Sequence, residues 1–297
     1  MIQSKNELTH YRILFSVALE HPITLQYIVC EFCTEHGDGR IWYRNSTNYA
    51  QDLVSDLNRR KYIERFFEST IKNGFQTLGR LEVLLRKKGR LPGSLKRVME
   101  ERARIEHFGQ VLPIEEIRDL IMRAGTVVRM PCACLWTARK EEKRCCYGIA
   151  FGPEPWYAHV DMSYFGKAPD AGLEALTKGK AIEQMEAMEE DGAIHTIWTL
   201  ITPFIGTICN CSLDGCLALR TLSGIGVETL ARAEFAARVD EGLCTGCGLC
   251  STCCQFDAIS AKHEKSRDIA VIGPHKCYGC GLCRKVCDAG AISLELR

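Results

Sequence analysis

The residues of this chain that could do chemistry are its cysteines, and near the end their spacing is regular. Cys244 to Cys254 reads CTGCGLCSTCC, and Cys277 to Cys287 reads CYGCGLCRKVC. Each run is C-x₂-C-x₂-C-x₃-C, the ligand spacing of a four-iron, four-sulfur cluster. A shift of 33 residues carries one run onto the other. Cys244, Gly246, Cys247, Gly248, Leu249, Cys250 and Cys254 then fall on Cys277, Gly279, Cys280, Gly281, Leu282, Cys283 and Cys287. Ala258, Ile259 and Ser260 fall on Ala291, Ile292 and Ser293. A cubane needs four thiolates arriving from different directions, and a tight loop can deliver three of them. The glycines let the backbone curl close to an inorganic core, where a Cβ would clash or φ must be positive. Peptide N–H groups aimed at the sulfurs lower the cost of the negative charge.

Over about fifty residues these runs resemble the two-cluster bacterial ferredoxins. The resemblance implies that each cluster takes its fourth thiolate from the other run. One cluster then uses Cys244, Cys247, Cys250 and Cys287, and the other uses Cys277, Cys280, Cys283 and Cys254. The family usually has proline after the fourth cysteine, whereas Gln255 and Asp288 stand here. Cys253 sits beside Cys254; the repeat favours Cys254 as the ligand and leaves Cys253 as a packed thiol.

Seven further cysteines precede this region: Cys132, Cys134, Cys145, Cys146, Cys209, Cys211 and Cys216. Their spacing, C-x-C … CC … C-x-C-x₄-C, is neither the ferredoxin pattern nor the C-x₂₋₄-C pairing of zinc sites. Two of the groups fall at the ends of predicted strands, where loops can converge. The expectation is a third metal site drawing four ligands from the seven, with iron–sulfur as the first reading and zinc as the alternative. Residues 111–297 also resemble a broad group of 4Fe–4S binding proteins of anaerobes. These share a PCxC-type element (Pro131 to Cys134), a glutamate-rich helix leading to a histidine-bearing strand (Ala181 to His195) and an ICNC-type element (Ile208 to Cys211). The dicluster region follows. Other members often carry Arg after PCxC and more cysteines after ICNC; this chain has Leu135 and CSLDGC. His195, a lone histidine on an apolar strand, reads as a core residue rather than a ligand. Cys30 and Cys33 form an isolated C-x₂-C in a helical pattern and read as packed thiols, with a metal or redox pair as the sharper alternative.

The elements that must position these residues suggest an α+β chain in three parts. Residues 1–110 read as a helical module, with apolar helical patterns over 8–19, 48–67 and 75–85. Residues 111–235 read as a small α/β cysteine-rich module. A helix begins near Pro113, strands cover Val127 to Met130 and Ala193 to Leu200, an acidic helix spans Ile182 to Met188, and Cys145-Cys146 lie in a basic loop. Residues 236–297 form the two-cluster ferredoxin-like domain. The helical module carries eighteen basic against thirteen acidic residues, a surplus of +5. Its densest run, Arg86 to Arg90, reads as a solvated helix end, with a docking patch as the alternative.

With 297 residues and a net charge of +1, the chain is long enough for two or three cores and has no whole-chain charge signal. Eighteen cysteines beside a polar N-terminus, with motifs that need reduced thiolates, point to a reducing cytoplasm, with an anaerobe as the expected host. No stretch is long and apolar enough to span a membrane. No G-x-G-x-x-G after a strand and no GK[ST] loop occurs, so neither an NAD(P)H site nor an ATPase is expected, and a flavin site stays open. A bare ferredoxin needs only the last sixty residues or so. The rest implies docking on a larger redox or cofactor-bearing enzyme, one target being a corrinoid centre that needs reductive reactivation. The alternatives are a reductase whose active site is the third cysteine-ligated centre, with Trp136, Trp156 and His195 nearby, and a redox-sensing regulator. The charge of the helical module is weak for DNA, so no nucleic acid is expected.

Overall fold

The computed structural model describes residues 42–49, 55–152, 155–159, 172–264 and 266–297. Cys30, Cys33 and the helical pattern over 8–19 lie outside the described residues. Residues 48–67 are not one helix: 3₁₀ turns cover Trp42–Arg44 and Ser46–Tyr49, and helix α1, Leu57–Arg65, starts only after Asp56. The Asp56 side chain accepts a hydrogen bond from the Asn58 amide there, a local cap that competes with continuing the helix upstream. A π-helical stretch, Phe66–Thr70, runs directly into α2, Ile71–Lys88. This helix is longer than the apolar pattern over 75–85 because Phe67, Ile71, Phe75 and Leu78 share one face, at spacings of three and four residues. Gly89 ends it at φ +71°, and its amide bonds the Leu85 carbonyl. Arg86, Lys87 and Lys88 lie exposed in the last turn, where their charge suits the helix dipole. Helix α3, Gly93–Glu106, follows Pro92.

A seven-stranded sheet comes next, larger than a small α/β unit would need. Its strands are β1 (Gly109–Val111), β2 (Thr126–Met130), β3 (Cys146–Ala150), β4 (Glu174–Leu176), β5 (Ile194–Thr199), β6 (Ile205–Cys211) and β7 (Leu230–Ala231). The spatial order is β4-β2-β3-β6-β5-β1-β7. β1 and β7 pair in parallel and the other neighbours are antiparallel. Helices α4 (Ile114–Arg123) and α6 (Lys178–Glu190) cover one face, packing Ile117, Ile121, Ala181 and Met185 onto Ile149, Ile197 and Ile208. On the other face, Phe67 and Ile71 of the N-terminal helices pack with Val128, Met130, Trp156 and Leu200. Trp42 and Tyr43 join the first of these clusters. The helices before residue 110 therefore share their core with the sheet.

Between the strands lie two short helices that matter for the cysteines: α5, Ala133–Arg139, and α7, Leu217–Ile225. After β7 come β8 (Phe235–Val239), the short helix α8 (Leu249–Cys253), β9 (Ile259–Glu264), β10 (Arg267–Ile272), the short helix α9 (Leu282–Lys285) and β11 (Ile292–Leu296). β9 pairs β10 and β8 pairs β11, both antiparallel. Among the described residues no helix is long and apolar enough to cross a membrane.

Candidate metal centres

The two cysteine runs fold alike because their glycines permit the same turns. Gly246 and Gly248 have φ of +74° and +80°, and Gly279 and Gly281 have +71° and +90°. Gly248 and Gly281 are the residues from which α8 and α9 start. At Gly246 an added Cβ would run into the Asp268 carbonyl, and at Gly279 into the Phe235 carbonyl. The loops are thus pressed against the strands behind them, which leaves their cysteines facing inward.

Two cavities result. Cys244, Cys247, Cys250 and Cys287 line the first, with Val239, Ile269, Ala270 and Ile292 around them. Cys254, Cys277, Cys280 and Cys283 line the second, with Phe256, Ala258, Tyr278 and Leu282. Each cavity therefore receives three thiols from one run and the last thiol of the other. Cys253 lines neither; its Sγ contacts the Cys250 carbonyl at 3.3 Å. The amide of Ala258 donates to Cys254 Sγ at 3.4 Å, and that of Ala237 to Cys277 Sγ at 3.5 Å. Burial pushes the Cys280 thiol up to about 12 and raises Cys283 and Cys250 as well. A metal must displace those protons to bind, so occupancy and pH are linked. The first cavity is the outer one: Cys247 is exposed, whereas Tyr278 and Leu282 beside the second are buried.

The seven upstream cysteines meet through strand register. Met130 pairs with Cys146 across β2 and β3, and Cys146 pairs with Cys209 across β3 and β6. Cys132 comes two residues after Met130, and Cys211 lies two residues beyond Cys209 on the same sheet face. Cys146 is in a strand rather than a basic loop, because its ladder with Met130 and Cys209 extends β3 to that residue. The Sγ atoms of Cys132, Cys145 and Cys146 all lie within 4.8 Å of one another. Cys209 Sγ is 3.6 Å from Cys146 Sγ. Cys134 contacts both Cys132 and Cys216, and Cys211 contacts both Cys209 and Cys216. The Leu135 and Leu219 amides, in the first turns of α5 and α7, donate to the sulfurs of Cys132 and Cys216. Those two thiols are held well below the ordinary range, first by hydrogen bonds from Cys134 and then by their other sulfur neighbours and these amides. Cys134 and Cys145 are raised, first by their bonds to Cys132.

His195 does not join this set. It pairs with Asn210, which sits between Cys209 and Cys211 on the opposite sheet face. Its Nδ1 is 2.6 Å from Asn210 Oδ1, and burial lowers its pKa, so the ring is neutral. Asn210 Nδ2 in turn donates to the Cys145 carbonyl at 3.0 Å. Trp156 is a buried core residue that donates to the Ile149 and Gly206 carbonyls, and Trp136 lies under Lys140.

The upstream thiols and the second cavity adjoin. Cys211, Cys216 and Leu213 pack in one cluster with Tyr278, Leu282, Cys253, Phe256 and Cys280. Gln255 spans the junction: its Oε1 accepts from the Leu213 amide at 2.8 Å, and its Nε2 donates to the Gly192 carbonyl at 2.5 Å. In the sequence, Gln255 stands out only as the residue in place of a proline.

Residues 243–291 match the family model of a 4Fe-4S dicluster domain. A search of curated proteins gives no match to the chain. The C-terminal segment is an iron–sulfur unit with an electron-transfer role. Its residues fit such a group: thiol donors face two cavities, peptide N–H groups point at sulfur, and glycines stand where a Cβ would obstruct the loops.

Proposed function

We propose that the chain holds two [4Fe–4S] clusters and passes single electrons to or from a larger redox or cofactor-bearing enzyme on which it docks. Cys244, Cys247, Cys250 and Cys287 hold one cluster; Cys277, Cys280, Cys283 and Cys254 hold the other. A third metal centre draws on the seven upstream cysteines. The observation that carries this reading is the lining of the two cavities, each by three cysteines of one run and one of the other. When bound, the clusters accept and release electrons one at a time at potentials tuned by hydrogen bonds and burial. The chain supplies the amides of Ala237 and Ala258 to sulfur, walls the inner cavity with Phe256, Tyr278 and Leu282, and leaves Cys247 at the surface. Leu243 and Leu249, 53% and 48% exposed, flank the outer cysteines and offer an apolar rim to a docking partner. A corrinoid enzyme needing reductive reactivation fits the low-potential chemistry of such a donor.

Copurification of the intact chain under anaerobic conditions tests the docking. A stoichiometric redox enzyme that exchanges electrons with the reduced chain is the expected result. A chain that stays alone, and whose oxidation no cofactor-bearing enzyme accelerates, would sink it. A second reading, a reductase acting at the upstream thiols, draws on the small cavity beside them, about 60 Å³ and lined by Lys143, Asp191, Asn210 and Ser212. Turnover of a small substrate that is lost in Lys143→Ala, with both cluster signals intact, would favour it.

A further inference from the structure

We propose that Cys132, Cys145 and Cys146 hold a single thiophilic divalent ion of the zinc type, whose fourth position opens into the adjoining cavity and carries an exchangeable water. This deepens the reading of the upstream thiols as a metal site and rests on it. The three sulfurs all lie within 4.8 Å of one another. A tetrahedral ion with metal–sulfur bonds of about 2.3 Å holds its thiolates roughly 3.8 Å apart, so this triangle suits one ion. A cubane carries each thiolate on a different iron at the outside of a cage, which separates the sulfurs by more than a single ion does. The chain contains its own contrast: among the described residues, no three of the eight C-terminal cluster cysteines come as close together as these.

The backbone fixes each corner of the triangle separately. The Cys132 amide donates to the Lys143 carbonyl at 2.8 Å. The Cys145 carbonyl accepts from the Asn210 amide at 2.8 Å and from Asn210 Nδ2 at 3.0 Å. Cys146 is held in β3 between Met130 and Cys209. The other four thiols do not complete a tetrahedron, because a fourth ligand must lie close to all three corners. Cys209 Sγ is 3.6 Å from Cys146 Sγ, yet it forms no such triangle with Cys132 or Cys145. Cys134 reaches Cys132 and otherwise turns to Cys216, which contacts Cys211. Cys134 and Cys209 thus support one ligating sulfur each from outside the ligand set.

The cavity supplies the fourth position. Cys132 and Cys145 line it and Cys146 lies behind them, so the vacant corner of the tetrahedron faces the open space. Its volume is about 60 Å³, and Lys143, Asp191, Asn210 and Ser212 contribute polar groups. A water needs roughly 10–15 Å³ on this scale and two to four polar partners, so the space admits one. Asn210 is held in place by His195, whose Nδ1 is 2.6 Å from Asn210 Oδ1. Four protein ligands close a structural zinc site, whereas three leave the ion able to exchange its remaining ligand. The upstream centre is therefore of the open kind.

The clusters hold iron and no zinc, so zinc-edge X-ray absorption on the intact, anaerobically purified chain reads this site alone. After loading with zinc and removal of the excess, one ion per chain with three sulfur neighbours and one oxygen is expected. Four sulfurs around the ion would overturn the open position. Two ions per chain, or additional iron with equal labile sulfide in place of zinc, would overturn the single ion. In each of those cases the upstream thiols remain a metal site. A chain that retains no metal beyond the cluster iron would remove that reading and this proposal together. Cys145→Ala should lose the ion, and Cys211→Ser should keep it with three sulfurs; loss of the ion in Cys211→Ser refutes the assignment. If Cys145→Ala does not fold, the sulfur number of the unaltered chain decides.

Discussion

Gln255 occupies the position where two-cluster ferredoxins usually have proline, and its two hydrogen bonds give that position a task. A proline could make neither bond, having no side-chain amide. Gln255→Ala leaves the Leu213 amide and the Gly192 carbonyl without these partners, at a cost of roughly 1–3 kcal/mol. Anaerobic denaturant unfolding should show that loss, and an unchanged midpoint would mean the junction does not depend on Gln255. Gly279 sets a sharper test, because both its φ of +71° and the Phe235 carbonyl behind it exclude a side chain. Gly279→Ala carries about 1–2 kcal/mol from the backbone alone, and the clash adds to it. Iron bound at the inner cavity should fall while that at the outer cavity stays. Gly246→Ala should do the reverse, since its obstruction is the Asp268 carbonyl beside the outer loop. Equal losses from both cavities in both variants would show that the loops do not fold independently.

At the scale of elements, what was legible in the sequence follows the distance along the chain over which the information is spread. The two cysteine runs are local: ligand, glycine and ligand lie within a few residues, so spacing alone names their chemistry. The upstream thiols depend on Met130 meeting Cys146 and Cys146 meeting Cys209, pairings between distant strands that no local pattern specifies. The sequence could say that seven cysteines need an explanation, but not that they touch. Helix α2 is longer than its local apolar pattern because its apolar face begins in the π-helical stretch before it. His107 shows the same dependence on register. It follows α3, stacks on Trp198 at 4.6 Å, and its Nδ1 donates to the Thr199 carbonyl at 2.6 Å. Burial lowers its pKa to about 4, so the folded chain favours the neutral ring. The stabilisation is therefore full above the unfolded value near 6.5 and is lost as pH falls toward 4, by roughly 2–3 kcal/mol. His107→Asn, which keeps a donor but does not titrate, should flatten the stability profile between pH 7 and 4. A profile as steep as that of the unaltered chain would assign the pH dependence elsewhere.

Across the whole molecule the cysteine sites have an order. The outer cavity opens at exposed Cys247, the inner one lies behind Phe256, Tyr278 and Leu282, and the upstream thiols pack against its far wall through Cys253 and Leu213. Arg284 binds Glu115 at 2.5 Å and Lys285 binds Glu190 at 3.4 Å, so the same end of the C-terminal unit is also held to α4 and α6 by charge. Contacts of this kind fix which cavity faces solvent, and solvent access governs how fast a bound cluster is destroyed by oxidants. The two cavities differ in access although their ligand sets are alike, so damage should come in two phases. On mild oxidation of the anaerobic chain, about half of the C-terminal iron should leave quickly, from the set of Cys244, Cys247, Cys250 and Cys287, with the remainder following slowly. Cys247→Ser weakens only the outer set and should make the fast phase faster or remove it, leaving the slow one unchanged. Gln255→Ala loosens the inner wall and should accelerate the slow phase alone. Release in a single phase, or acceleration of the wrong phase by either variant, would contradict the order in which the structure stacks these sites.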